Sequence, residues 1–389
     1  MLSQRIQRLS TSMTIAITTL ALELKAEGKD ILSFSAGEPD FDTPAPIKDA
    51  AKKALDEGKT KYTAIPGTPE LLKAVAEKLK RDNNLEYDTN MIQTNNGAKH
   101  SLFNLFQALI DDGDEVIIPA PYWVTYPEVV KYSGGIPVII ETDDSTSFKI
   151  TPEQLKNAIT PKTKVLVITT PSNPTGSVYS KKELEAIAEV LKDTNIIVFS
   201  DEMYEKLVYG DVKFTPLASI SEDMFQRTVT INGLSKSASM TGWRFGYLAT
   251  PNVELVKAMN KLQSQSTSNI SSITQAAAIA GLNGSIDNIV EDMRKVFEQR
   301  RDEACELVNN IDGLSVIKPD GAFYLYINIK EVSNDSLEFA KELLSQEGVA
   351  VVPGIAFGTE GYIRLSFATD IDTIREGIKR IERFVKQDK

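Results

Sequence analysis

Histidine and cysteine are the scarcest reactive residues in this chain. Its 389 residues include one histidine, His100, and one cysteine, Cys305. A single cysteine excludes an intramolecular disulfide and a thiolate zinc cluster. A single histidine excludes an HExxH metal motif and leaves His100 as the one residue on which a Ser-His-Asp triad could be built. An enzyme working near neutral pH would therefore take its proton shuttle from a lysine with a lowered pKa or from a bound cofactor.

Basic residues and long apolar runs are also in short supply. Forty-three Lys and Arg oppose 54 Asp and Glu, for a net charge of −11, which argues against a nucleic-acid-binding protein because such proteins need a basic face. Residues 11–22 lack charges, but threonines interrupt them and no small-residue cleavage pattern follows. We interpret them as extended chain leading into a helix, not as a signal peptide. No run approaches the ~18 apolar residues of a transmembrane helix, and we expect a cytoplasmic protein.

Short β-rich runs alternate with helix-period segments through the middle of the chain. Residues 99–109 and 181–191 are two such helical segments, and the second follows a capping box formed by Ser180 and Glu183. The alternation predicts an α/β fold with a mostly parallel, mixed sheet flanked by helices. The candidate strands are residues 91–94, 115–118, 137–140, 165–169, 196–200, 228–231 and 245–249.

The last third of the chain has a different pattern. Residues 286–309 form one long amphipathic helix candidate, and further helices are predicted at 336–345 and 371–386, with β-rich runs between them. This pattern is typical of a smaller α+β domain. Since a chain of this length favours two domains, we predict three segments. These are an N-terminal segment (1–45) that packs with the small domain, a large cofactor-binding domain (46–284) and a small C-terminal domain (285–389).

The residues after the candidate strands matter because ligands of open α/β sheets bind beyond the carboxyl ends of the strands. A turn at Gly97 leads into a helix, and free N–H groups at such a helix start suit a phosphate. The alternative is an ordinary strand-to-helix turn that binds no ligand. Trp123 follows the next strand and either stacks on a planar ring or belongs to the core. Asn173 lies between two prolines, which hold it in a rigid turn.

Two later strands are followed by residues that carry charge. Asp201 precedes Tyr204 by three residues, so the pair shares a face if a helix starts there; the alternative is that Asp201 only caps that helix. Lys236 follows Ser235 at the end of another strand, where lysine is uncommon. Burial would lower the pKa of its amine and make it a nucleophile or base, whereas a solvated loop lysine would stay charged. These residues all fall at one edge of the predicted sheet.

Together these residue types suit pyridoxal 5'-phosphate (PLP). A carboxylate keeps the pyridine nitrogen protonated, and Asn and Tyr donate hydrogen bonds to the phenolate oxygen. Trp stacks on the ring, while the glycine turn and Arg244 hold the phosphate. Lysine forms an imine with the aldehyde, and the ring then acts as an electron sink.

With these motifs in place, the sequence resembles the class I (fold-type I) PLP-dependent aminotransferases, in particular the bacterial aspartate aminotransferase subgroup. The combination of N-P-T-G, D-E-x-Y and S-K-x7-R, in this order along the chain, is specific to that family. The matching segments span residues 35–369 and include SAGEPDFDTP, KYTAIPG, PYWVTYPE, PSNPTGSVYS, SDEMYEKLVY, NGLSKSASMTGWRFGY, GAFYLY and YIRLSFAT.

The resemblance implies a set of cofactor contacts and a homodimer with shared active sites. Lys236 would be the Schiff-base lysine and proton shuttle, Asp201 would pair with the pyridine nitrogen, and Trp123 would stack on the ring. Tyr204 and Asn173 would bond the phenolate oxygen. Tyr62 would reach the phosphate in the neighbouring subunit. The phosphate of the same subunit would be held by Gly97, Ala98, Lys99, Ser235 and Arg244.

The resemblance also implies a substrate class, amino acids and 2-oxo acids. Arg364 would bind the α-carboxylate as a bidentate fork, with the Gly37 backbone close by and Trp123 and Asn173 lining the same site. Lys99 would bind a distal carboxylate. Many relatives have a K-P-S-x-T segment, whereas residues 10–14 here lack its lysine; this favours aspartate over prephenate.

The expected reaction is therefore transamination of L-aspartate and 2-oxoglutarate to oxaloacetate and L-glutamate. The nearest alternative is a glutamate/aspartate–prephenate or aromatic amino acid aminotransferase. A β-lyase or decarboxylase could share the cofactor contacts, and a non-catalytic ligand-binding protein would show no cofactor absorbance. For His100 we expect a helix-surface or packing role, and for Cys305 a packing role.

Overall fold

The computed structural model describes residues 1–10 and 13–387, in which two main sheets and their surrounding helices are formed. The strands are β1 (Leu32–Ser33), β2 (Ile92–Asn95), β3 (Glu115–Ala120), β4 (Ile136–Glu141), β5 (Thr163–Thr169), β6 (Ile197–Asp201), β7 (Thr228–Gly233), β8 (Gly246–Ala249), β9 (Ser315–Val316), β10 (Tyr324–Asn328), β11 (Val349–Ala350), β12 (Val352–Pro353) and β13 (Tyr362–Ser366).

Helices cover both faces of the larger sheet and one side of the smaller one. They are α1 (Gln4–Gln7), α2 (Met13–Ala26), α3 (Ala45–Asp56), α4 (Pro69–Asn83), α5 (Ala98–Leu109), α6 (Thr125–Ser133), α7 (Pro152–Ala158), α8 (Lys181–Leu191), α9 (Glu222–Arg227), α10 (Val253–Ser264), α11 (Ser272–Leu282), α12 (Asp287–Asn309), α13 (Ser336–Glu347) and α14 (Ile371–Gln387).

The larger sheet has seven strands in the order β2-β8-β7-β6-β5-β3-β4. Strand β8 runs antiparallel to both of its neighbours, and the remaining pairs are parallel. All seven candidate strands are confirmed, with ends that differ by at most two residues. The α/β fold class is confirmed, and so is the capping box at Ser180. Apolar runs such as that of β5 predicted the strands well because helices bury both faces of the sheet.

The smaller sheet is antiparallel, with the order β12-β13-β10-β9. Helices α12 and α13 pack against its strands, and α14 packs against both of these helices. The N-terminal strand β1 pairs in parallel with β11, with Leu32 opposite Val349. The N-terminal segment therefore contacts the C-terminal third of the chain. The division into domains at residues 45 and 285 stays a prediction.

The prediction of extended chain for residues 11–22 is wrong from residue 13 onward, where α2 begins; Thr11 and Ser12 lie outside the described residues. The threonines disfavour a helix locally. Ile17 and Ala21, four residues apart, are nevertheless buried in the main apolar cluster, and such packing outweighs a weak propensity. In the part of the chain that the structure describes, no helix is long and apolar enough to cross a membrane.

Candidate active site

A cleft of about 520 Å³ lies between the carboxyl edge of the seven-stranded sheet and the four-stranded sheet. Because β8 is antiparallel to both β2 and β7, these two strands run in the same direction, and their carboxyl ends lie at this edge. Most residues predicted from the sequence line the cleft. They are Gly37, Ala98, Lys99, Trp123, Asn173, Asp201, Tyr204, Ser235, Lys236, Arg244 and Arg364.

Lys236 follows β7 and extends into the cleft. Its Nζ donates a hydrogen bond to the backbone carbonyl of Gly37 and lies 5.9 Å from the ring centre of Phe323. The pKa of Lys236 is lowered to about 8, mainly by burial. The negative charges of Glu38 and Asp201 oppose this shift, and the positive charges of Arg364 and Arg244 add to it. A sizeable fraction of these amines is therefore neutral near physiological pH, and a neutral amine is a nucleophile and a base.

Asp201 is the last residue of β6 and is buried at the floor of the cleft. Its Oδ2 accepts a 2.6 Å hydrogen bond from the Tyr126 hydroxyl, which also lies 2.8 Å from Thr169 Oγ1. Burial raises the pKa of Asp201, and the hydrogen bond from Tyr126 opposes that rise. A desolvated carboxylate at this position favours a cationic partner, such as a protonated ring nitrogen.

Both sequence interpretations that place a helix after Asp201 are wrong. Residues 203–206 form turns, so Asp201 neither caps a helix nor shares a helical face with Tyr204. The turns still bring Tyr204 into the cleft, where its hydroxyl lies 2.8 Å from that of Tyr324. Burial raises the pKa of Tyr204 well above its usual value of 10.0. Tyr204 is therefore a neutral hydrogen-bond donor at physiological pH.

The phosphate end of the cleft is formed by the start of α5 and by Arg244. Gly97 precedes the helix with a φ of 83°, and the amides of Ala98 and Lys99 begin its first turn, where N–H groups have no intrahelical acceptor. A Cβ at Gly97 would clash with Arg244 Nη2. Glycine thus lets a guanidinium approach the positive end of a helix, and the two together form an anion cradle.

Arg364 reaches the cleft from β13 of the four-stranded sheet. Its Nη1 donates to Asn173 Oδ1 and its Nη2 to the Ser35 carbonyl, each at 2.8 Å. The guanidinium lies 4.4 Å from the ring centre of Tyr324, and burial lowers the pKa of Arg364. Its Nε is buried and has no hydrogen-bond partner among the described residues. Arg364 therefore has donor capacity left for a ligand carboxylate.

Lys99 adds a second cation to the same cleft. Its Nζ lies 4.9 Å from the ring centre of Trp123. Partial burial and the charge of Arg244 lower the pKa of Lys99. An anionic ligand group next to Lys99 would stabilise the charged amine and so raise this pKa again.

Tyr62, another predicted site residue, does not line this cleft. It lies on the surface and is 90% exposed. The expectation that it contacts the phosphate in a neighbouring subunit stays a prediction.

Sequence reasoning missed several side chains that shape the cleft. Tyr126 is the second residue of α6 and lies three residues after Trp123, which precedes the helix; the two rings meet edge-on with their centres 5.5 Å apart. Tyr324 lies at the start of β10, and a Cβ at Gly37 would lie 2.8 Å from its hydroxyl. Glu38 accepts a 2.8 Å hydrogen bond from Thr241 Oγ1. The closeness of Tyr126 to Trp123 in the sequence could have pointed to it, whereas Tyr324 and Glu38 meet the cleft only through long-range packing.

His100 and Cys305 lie outside the cleft lining. His100 Nδ1 accepts a 3.2 Å hydrogen bond from the Asn96 amide at the start of α5. Cys305 is buried in α12, and burial raises its pKa to about 12. A thiol with such a pKa is unreactive at neutral pH.

Known proteins match this chain over almost its whole length. The family described as aminotransferase class I and II matches residues 29–381. The aspartate aminotransferase of Bacillus subtilis (strain 168) is 50% identical over 391 residues, which cover 99% of each chain. The aspartate/prephenate aminotransferase of Cereibacter sphaeroides is 46% identical over 98% of each chain. The solved structure of Thermus thermophilus aspartate aminotransferase with maleate aligns with a TM-score of 0.95 at 42% identity, covering 98% of this chain and 99% of that one.

The region of the family match contains both sheets and every cleft residue from Ser35 to Arg364. The fold, the cleft and the full-length similarity therefore agree, and the chain belongs to the class I and II aminotransferase family.

Proposed function

We propose that this aminotransferase uses PLP to transfer the amino group of L-aspartate to 2-oxoglutarate, giving oxaloacetate and L-glutamate. The observation that carries the proposal is that two cations, Lys99 and Arg364, line the same cleft as Lys236. A dicarboxylic amino acid offers one carboxylate to each cation. The name of the Bacillus subtilis relative and the maleate in the Thermus thermophilus structure, itself a dicarboxylate, support this substrate class.

The residues of the cleft suit PLP by their own chemistry. The buried Asp201 carboxylate fits a protonated pyridine nitrogen, and the start of α5 beside the Arg244 guanidinium fits a phosphate. Tyr204 and the amide group of Asn173 can donate hydrogen bonds to a phenolate oxygen. The remaining contacts would come from Ala98, Lys99, Trp123, Ser235 and Lys236. When bound, PLP supplies an electron-withdrawing ring that stabilises negative charge at the substrate Cα.

The side chains of this protein would bind the substrate and move its proton. Arg364 binds the α-carboxylate, with Asn173 and the Ser35 carbonyl holding the guanidinium in place. Lys99 binds the distal carboxylate. With a pKa of about 8, Lys236 can accept the proton from Cα and release it again at neutral pH, which is what a general acid–base catalyst needs. Asp201 provides the negative charge that keeps a ring nitrogen protonated.

A cytoplasmic homodimer with shared active sites is part of the proposal. The 90% exposure of Tyr62 supports the dimer, because a residue that acts in a neighbouring subunit must project from its own.

Steady-state kcat/KM for aspartate, prephenate, phenylalanine and alanine tests the proposed substrate. Aspartate should be the best of the four. Lys99→Gln should lower kcat/KM for aspartate about 30- to 100-fold, the value of a charge-assisted bond in a desolvated site, and should leave alanine nearly unchanged. His100→Gln, at the adjacent position, is the matched control. A clearly slower reaction with aspartate than with the other three would contradict the proposal.

One mixing experiment separates the other reaction classes. Aspartate added without a 2-oxo acid should shift the visible absorbance of the bound cofactor, and Lys236→Ala should lack the shift. A non-catalytic binding protein would show no shift. A decarboxylase would release CO2 from aspartate, and a β-lyase would release ammonia and pyruvate only from an amino acid that carries a leaving group on Cβ.

Prephenate remains the second candidate because the Cereibacter sphaeroides relative carries that activity in its name. The sequence departure that disfavours it, residues 10–14, falls largely outside the described side chains. Ser10, which is described, donates its backbone N–H to Glu128 Oε2 at 2.6 Å. The substrate panel therefore decides between the two.

A further inference from the structure

A carboxylate outside the cleft ties the two sheets together. Asp144 begins a 3₁₀ turn, Asp144–Thr146, that follows β4 of the seven-stranded sheet. Its Oδ1 accepts a 2.7 Å hydrogen bond from the Tyr362 hydroxyl and its Oδ2 a 2.9 Å bond from Asn328 Nδ2. Tyr362 and Asn328 are paired directly opposite each other on β13 and β10 of the four-stranded sheet. One half-buried carboxylate thus holds two neighbouring strands of the other sheet.

The ring of Tyr362 is held on several sides. It is 1% exposed and stacks on Tyr326, with the ring centres 4.9 Å apart and the planes 6° from parallel. Phe148, from the same segment as Asp144, packs edge-on against both rings at 5.4 Å. Lys330 Nζ donates to the Tyr362 hydroxyl at 3.0 Å. The position of Tyr362 therefore depends on the segment that carries Asp144.

We call the contacts of Asp144 with Tyr362 and Asn328 the clamp. Tyr362 lies two residues before Arg364, the proposed substrate-binding arginine. Residues i and i+2 of a strand point to the same face, so Tyr362 and Arg364 project together from β13, and Tyr326 is paired opposite Arg364. Arg364 in turn contacts Asn173, which follows β5 of the seven-stranded sheet. The two sheets are therefore joined at two adjacent points, Asp144 to Tyr362 and Asn173 to Arg364.

We propose that Asp144 is a positioning residue for substrate binding. By holding Tyr362 and Asn328 it fixes β13 against the seven-stranded sheet, and this sets the Arg364 guanidinium at the place where it meets the substrate α-carboxylate. Asp144 does not line the cleft and acts through Tyr362. The inference rests on the proposed function in one respect, the binding of the α-carboxylate by Arg364.

The test compares Asp144→Ala, Asp144→Asn and Tyr362→Phe with the wild type, all as holoenzymes. Asp144→Ala should raise the KM for aspartate and the Kd for succinate about tenfold, with kcat changed less than about threefold, since charged hydrogen bonds contribute on this scale. Asp144→Asn should have a smaller effect because one acceptor oxygen remains for two donors. The double variant Asp144→Ala/Tyr362→Phe should be no worse than Asp144→Ala, because both changes break the same contact.

Asp143→Asn is the matched control. Asp143 accepts hydrogen bonds from the backbone and side chain of Ser145, within its own turn. Asparagine caps such a turn equally well, so the control loses the same charge one residue away and should keep the wild-type KM.

Each result supports or overturns the inference. A KM and a succinate Kd within twofold of wild type in both Asp144→Ala and Tyr362→Phe overturn it, as does a lowered Tm with an unchanged KM. If Asp144→Ala does not fold, Tyr362→Phe decides, because it removes a single hydroxyl. If the wild type prefers another amino acid, the aspartate proposal fails. The KM for that amino acid then tests the clamp, since every amino acid has an α-carboxylate.

Discussion

Two consecutive carboxylates at the end of β6, Asp201 and Glu202, face opposite sides of the seven-stranded sheet. Asp201 lies at the floor of the cleft with Tyr126 as its donor. Glu202 is fully buried in the closed core on the other side, where it accepts hydrogen bonds from Ser200 Oγ at 2.8 Å and the Leu217 amide at 3.4 Å. Burial raises the pKa of Glu202 to about 8. Strand alternation alone gives these two acids different roles.

The same two sides of the sheet contain two buried lysines with different partners. Lys78 donates to Glu205 and, at 2.8 Å, to Asn83 Oδ1. Lys236 donates to the carbonyl of Gly37, which carries no charge. A buried lysine with a carboxylate partner contributes to the stability of the fold, whereas Lys236, whose pKa burial lowers to about 8, is available for chemistry.

The largest expected effect separates the two lysines by activity. Lys236→Ala should abolish multiple turnover, with kcat lowered by about 10⁴-fold or more, because both the nucleophile and the proton shuttle are lost. Lys78→Met should leave the kcat of folded enzyme within about threefold of wild type. Steady-state assays, corrected for the folded fraction by circular dichroism, measure both. A comparable loss of kcat in folded Lys78→Met would break the comparison.

The second effect separates the lysines by stability. Lys78→Met leaves the Glu205 carboxylate buried without its ion-pair partner, so the free energy of unfolding should fall by about 3–5 kcal/mol. In cofactor-free protein, Lys236→Ala removes an amine whose protonated form the fold disfavours, so at neutral pH the free energy of unfolding should rise, by up to about 3 kcal/mol. Urea unfolding measures both values. Adding Glu205→Gln to Lys78→Met should recover part of the loss, and a lack of recovery would show that the ion pair is not its cause.

The third effect is a pair of opposite pH dependences. Glu202 has its pKa raised from 4.5 to about 8. Between these values the folded state holds a proton that the unfolded state has released, so stability falls as pH rises. Lys236 has its pKa lowered from 10.5 to about 8. Between these values the unfolded state holds the extra proton, so stability rises with pH. Over its window, the free energy of unfolding should change by about 5 kcal/mol for Glu202 and by about 3 kcal/mol for Lys236.

Two variants assign these slopes in cofactor-free protein, in which Lys236 is free to titrate. Glu202→Gln should flatten the fall below pH 8 and Lys236→Ala the rise above it, as measured by urea unfolding across the pH range. If stability still falls below pH 8 in Glu202→Gln, or still rises above pH 8 in Lys236→Ala, the pH dependence belongs to another group.

The smallest effect concerns the single histidine. His100→Gln should keep kcat/KM for aspartate within about twofold of wild type, because a glutamine oxygen can accept the Asn96 hydrogen bond that Nδ1 now accepts. Steady-state kinetics measure it, and a loss of tenfold or more would give His100 a role in the reaction.

The seven strands and the loops that follow them could be predicted because their signals are local. Apolar runs such as residues 165–169 belong to strands covered on both faces, and parallel strands deliver their carboxyl ends to one edge. The same reasoning failed where distant packing decides. Helix α2 forms because Ile17 and Ala21 are buried, and Asp201 is followed by turns and not by a helix.

By itself, the sequence determined the sheet, the family and the identity of the residues at its carboxyl edge, because spacing and apolar patterns are properties of neighbouring residues. Tertiary structure decided what surrounds each of these residues. Asp201 and Glu202 differ by one position, yet one faces the cleft and the other the core. Lys236 has a lowered pKa because the folded chain buries it. The contacts of Asp144 with β10 and β13 join residues 184 and 218 positions apart, and folding alone brings such groups within hydrogen-bond distance.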